Sequence, residues 1–130
     1  MSVRQGERKT SNLKYVQDAQ TLATHTVNMC NNPNRFPEPD LASHIKQEVL
    51  TILENVRYHL ATYTYNQEDT ATLKKYTAEA LAHIDALYAL LELAYNNPLY
   101  KIDAKSMEYW ISLIVNLEES IKKLGSVSIC

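Results

Sequence analysis

Only Gly6 and Gly125 among 130 residues are glycine, where a typical globular chain holds about 7%. Phosphate-binding loops and dinucleotide fingerprints need glycine at several close positions, so neither is available to this chain. Sandwiches and barrels, which turn on glycine repeatedly, are disfavoured as well. The remaining residues must build elements that need few tight turns. Long helices meet that condition.

Four segments carry the helical period. Over about 12–30, apolar residues fall at Leu13, Val16, Ala19, Leu22, Ala23, Val27 and Cys30, steps of three and four that form one stripe. Asn31-Asn32-Pro33-Asn34 stops that helix, and Pro37 and Pro39 hold an extended link. A second segment, about 40–65, opens on Asp40, a favoured first-turn carboxylate. It carries Leu41, Ile45, Val49, Ile52, Leu53, Val56, Leu60 and Tyr63. After the polar turn Asn66-Gln67-Glu68-Asp69, a third runs over about 70–96 through Leu73, Tyr76, Ala80, Leu81, Ile84, Leu87, Tyr88, Leu91, Ala94 and Tyr95. Asn96-Asn97-Pro98 ends it. Asp103 reads as the N-cap of a fourth, about 103–124, with Met107, Trp110, Ile111, Ile114, Leu117, Ile121 and Leu124; Gly125 fits the position just past its end.

No window alternates with period two. Long helices joined by short loops imply antiparallel neighbours, so the expected fold is all-α, an up-down-up-down four-helix bundle. Residues 12–124 form that bundle, between a basic N-terminal tail over 1–11 and a short C-terminal tail over 125–130. Ile52, Leu53, Val56, Ile84, Leu91, Ile114 and Leu117 are expected where the helices face one another.

The net charge of −2 gives no global field toward nucleic acid. The distribution is uneven, however. Arg4, Arg8, Lys9 and Lys14 stand against Glu7 alone in the first fourteen residues. Elsewhere Arg35, Arg57, Lys74 and Lys75 are the cations that electrostatics singles out, with Lys101 and Lys105 able to gather near a bundle end. Neither cysteine, Cys30 or Cys130, has metal-ligand spacing, and Cys30 on the apolar stripe reads as a small buried hydrophobe. No apolar run suits a signal peptide or a membrane span, so the chain is expected in the cytoplasm, with free thiols and no membrane association.

A helix bundle invites a di-metal carboxylate site, which needs two Glu-x-x-His pairs. The nearest features, His44/Glu48 and Glu79/His83, are spaced i, i+4 and read as two separate surface pairs. His25 and His59 are isolated and read as helix-surface or boundary residues. No motif groups a nucleophile with a base. The expectation is a non-enzyme with no catalytic residue, metal or cofactor. Nine tyrosines against one phenylalanine suit bundle edges and protein interfaces, where a large ring is buried and its polar tip stays wet. The late third helix is apolar over more than one face, so Leu87, Leu90, Leu93 and Tyr95 are candidates for an interface between copies.

Met1-Ser2-Val3-Arg4 with Arg8, Phe36-Pro37, the stretch from Lys75-Tyr76 to Ala80-Leu81, Leu90-Leu91-Glu92-Leu93-Ala94-Tyr95 and Tyr109-Trp110 together resemble a bacterial four-helix-bundle family across nearly the whole chain. It comprises the accessory variability determinant proteins of diversity-generating retroelements and related proteins encoded in intervening sequences of large-subunit ribosomal RNA genes. The resemblance implies a homopentameric ring that binds the retroelement reverse transcriptase and template RNA and supports mutagenic cDNA synthesis. Arg4 and Arg8 match the family's opening motif and carry over its basic residues best; Lys9 and Lys14 belong to the same basic stretch of the first fourteen residues. An intervening-sequence-type bundle protein is the alternative reading, and a metal-dependent bundle enzyme is the alternative from another class.

Overall fold

The computed structural model describes the backbone of residues 10–129 and the side chains of residues 13–124. Within that span the chain is all-helical: α1 (Thr10–Cys30), α2 (Pro39–Asn66), α3 (Thr70–Tyr95) and α4 (Ala104–Ile129), with no strand among the described residues. Each helix packs against two others. α1 lies on α2 and α4, and α3 lies on the same two, so the four surround one core.

Local chemistry sets the boundaries. Pro39 is the first residue of α2 rather than part of the link, a position where its fixed φ and missing N–H carry no penalty. Asp69 caps α3: its Oδ1 accepts from the Thr72 N–H at 3.1 Å and its Oδ2 from the Thr72 hydroxyl at 2.8 Å. Asp103 caps α4 as expected, accepting from the Ser106 N–H at 2.7 Å. At its other end α4 departs from expectation. It runs through Gly125 to Ile129, and no described glycine takes a positive φ. A glycine inside a helix costs about 1 kcal/mol relative to alanine, too little by itself to end one.

The apolar stripes meet as their phases require. Ile52, Val56, Ile84, Leu91, Ile114 and Leu117 are buried together with Trp110, Leu22 and Ile45. Leu53, one residue round from Ile52, sits at the edge of its stripe and only half-buries against the core. Polar links join α1 to α4 and α2 to the loop after α1. Trp110 Nε1–H donates to Thr26 Oγ1 at 2.9 Å in the interior, Ser120 Oγ donates to Asp18 Oδ2 at 2.5 Å, and Lys46 Nζ donates to Asn31 Oδ1 at 2.9 Å. The loop after α1 and the loop after α3 are joined by the Lys101 N–H, which donates to the Arg35 carbonyl at 3.0 Å. Phe36, buried beside Tyr100 and Trp110, anchors that junction.

Candidate nucleic-acid interface

Three of the expected cations, Arg57 of α2 and Lys74 and Lys75 of α3, are exposed on two helices that pack together. The Asp69 cap fixes the first turn of α3, which brings Tyr76 to a ring-centroid distance of 5.4 Å from Tyr58 of α2. Lys75 Nζ stands 5.7 Å from the centre of the Tyr76 ring, within cation–π range. Arg57 and Lys74 are exposed beside them in sequence. None of Arg57, Lys74 and Lys75 has a carboxylate within ion-pair distance among the described residues. Tyr58 is 49% exposed and Tyr65, at the end of α2, 87% exposed. Tyr58, Tyr76 and Lys75 are thus linked by contact across α2 and α3, with Arg57 and Lys74 as their exposed neighbours in sequence.

The adjoining core holds a polar pair. Tyr15 of α1 and His59 of α2 meet in the interior, hydroxyl to Nδ1 at 2.8 Å, with their rings edge-on. Burial drives the Tyr15 phenol pKa well above its ordinary value; nearby Tyr63 adds to the rise and Arg57 opposes it. Burial also lowers the pKa of His59. His59 is thus a core residue, not the surface or boundary residue its isolation suggested, because its hydrogen bond with Tyr15 satisfies it inside.

The other expected cations are placed differently. Lys14 is exposed and ion-paired with Asp18 one turn on, at 3.1 Å, which occupies its charge. Arg35 lies in the loop after α1, far along the chain from the cluster and tied to the loop after α3. Arg4, Arg8 and Lys9 lie outside the described residues.

The four apolar candidates for self-association also divide. Leu87 is fully enclosed in the chain's own core and offers a partner no surface, since its position continues the Ala80–Ile84–Leu91 stripe. Leu90 is half-buried against the core. Leu93 and Tyr95 are exposed, but two helical residues differ by about 200° around the axis, so they face different ways. Tyr95 lines an apolar groove of about 480 Å³ with Ala104, Met107, Ile111 and Val115 of α4.

Among the described residues no group of three His, Cys, Asp or Glu side chains could hold a metal ion, and no helix is long and apolar enough to cross a membrane. The cysteine that α1 contributes is buried, and its thiol pKa is pushed up to about 12 by that burial. Half-buried His25 sits edge-on to Tyr109 and Trp110; burial and the nearby Arg35 charge lower its pKa.

Sequence reasoning missed the tyrosines of the cluster as partners of the cations. The signal was the repeated pair of a basic residue followed by tyrosine, Arg57-Tyr58 on α2 and Lys75-Tyr76 on α3. Comparison of the chain with protein-family models, with curated proteins and with solved structures found no match.

Proposed function

We propose that the chain is a non-enzymatic accessory protein of a diversity-generating retroelement, an antiparallel up-down-up-down bundle assembled as a homopentameric ring in the cytoplasm. It binds the reverse transcriptase and template RNA and so supports mutagenic cDNA synthesis. The observation that carries this reading is the contact of Tyr58, Tyr76 and Lys75 across α2 and α3, with exposed Arg57 and Lys74 next to them in sequence. Stacking on aromatic side chains contributes about 1–3 kcal/mol per base, and adjacent cations neutralise the phosphates between bases. Contacts of this type tolerate sequence variation, as handling a long template requires. Repetition around a ring multiplies a patch that is weak in one copy. The exposed Leu93 and Tyr95, with half-buried Leu90, supply apolar surface for the contacts between copies.

The test is a titration of labelled structured RNA with single-stranded loops at several salt concentrations. Wild type is expected to bind at low salt, with affinity falling steeply as salt rises. Replacing Arg57, Lys74 and Lys75 by glutamine should flatten the slope by about 0.7–0.9 per lost phosphate contact. Failure of wild type to bind at about 50 mM salt, within the low-salt range where such contacts are strongest, overturns the RNA role.

A further inference from the structure

The loops after α1 and after α3 border an open, solvent-facing cleft of about 540 Å³ lined by Asn32, Asn34, Arg35, Tyr100, Lys101 and Asp103. Its volume falls in the range of small-molecule sites, about 300–1,000 Å³. The backbone bond from Lys101 to Arg35 makes the two loops one unit. The Asn32 side chain stiffens the first of them by accepting the Asn34 N–H at 2.9 Å through Oδ1, which leaves the Asn32 amide N–H groups as donors.

Arg35 is the unexplained residue. Its guanidinium is part-buried, and Nη1 donates to two neutral acceptors, Met29 Sδ at 3.6 Å and Ser106 Oγ at 3.3 Å. No carboxylate lies within ion-pair distance of it among the described residues. A fork of five N–H donors that is partly withdrawn from water without an anionic partner is poised for one. Asp103 lines the same cleft but is committed to the α4 cap, and both Arg35 and Lys105 act on its charge. Arg35 and Lys101 against Asp103 leave the cleft lining with one excess positive charge, and Lys105, outside the lining, also acts on Asp103. A phosphate monoester carries about −1.5 to −2 at neutral pH and offers a guanidinium two oxygens at once.

We propose that this cleft binds a small ligand carrying a phosphate monoester, its oxygens held by Arg35 and Lys101 and its body lying along Tyr100 between Asn32 and Asn34. The cleft lies apart from the Arg57 and Lys75 surface and does not depend on the RNA reading.

The experiment is an amide NMR titration of the full chain with two monoesters of unlike body, AMP and phenyl phosphate, and with adenosine as the phosphate-free control. Both monoesters should shift the Asn32, Asn34 and Lys101 amides saturably, and adenosine should not. Arg35→Ala should weaken binding at least tenfold. Arg35→Lys should fall between, because it keeps charge but loses the fork, and Arg57→Gln should bind as wild type does. The bond that joins the loops uses the Arg35 carbonyl, so these variants retain it, and exposed Lys101→Gln gives a second reading should Arg35→Ala unfold. Absence of saturable shifts with both monoesters, equal shifts with adenosine, or undiminished binding by folded Arg35→Ala and Lys101→Gln overturns the proposal.

Discussion

Oε1 of Glu48 on α2 lies 2.7 Å from Nδ1 of His83 on α3, and the same imidazole presents Nε2 to Glu79 at 4.0 Å. What the sequence offers as two separate i, i+4 pairs is therefore one contact across two helices, with His44 turned instead to the Asp40 carbonyl. His83 and Glu48 each keep between a quarter and a third of their side-chain surface in water.

That exposure limits the worth of the pair. Partly solvated ion pairs contribute about 0–1 kcal/mol, so Glu48→Gln should lower unfolding free energy by no more than about 1 kcal/mol in urea titrations. A loss of several kcal/mol would mean that Glu48 holds the two helices together.

Truncations in the shared core should cost far more. Ile52 of α2 and Ile114 of α4 are both buried in the shared core, and Ile→Ala at either should destabilise by about 2–5 kcal/mol. Leu53→Ala, at the stripe's edge, should cost less than either. Denaturant unfolding of the three variants checks the order, and a larger loss at Leu53 would mean the α2 phase is wrong.

The architecture was legible because helical period is written into every turn, whereas the site depends on relations that period does not encode. Asp103 and the Asn31–Asn34 stop could be read from one segment alone. The Tyr15–His59 bond joins residues 44 positions apart, and nothing local to His59 distinguishes a buried, satisfied histidine from a surface one. Leu87 shows the same limit: an apolar run around a helix marks excess hydrophobicity but not which member the chain itself covers. Gly125 was read by its commonest role, and the α4 backbone continued through it.

Acid should loosen the fold through two histidines. Burial lowers the pKa of both His59 and His25 below the ordinary 6.5, so the folded chain binds fewer protons than the unfolded one just below that pH. Stability is then full above about 6.5 and is lost as pH falls, by at most about 1.4 kcal/mol per unit for each histidine. Thermal midpoints between pH 7.5 and 5.5 should show the decline, and His59→Gln should reduce it. A midpoint that holds level across that range would mean neither histidine resists protonation.

Assembly can be read from mass. Light scattering coupled to chromatography should give about five times 14.9 kDa, and Leu93→Glu should lower it by placing charge on an exposed apolar position. A monomer at micromolar concentration would remove the ring.

The most direct measurement is cDNA synthesis in a purified system containing a retroelement reverse transcriptase, its template RNA and this chain. With wild type present, long products carrying substitutions are expected. With the protein omitted, or with Arg57, Lys74 and Lys75 neutralised, synthesis should fall sharply. Equal yield and equal substitution with and without the protein would contradict the accessory role outright.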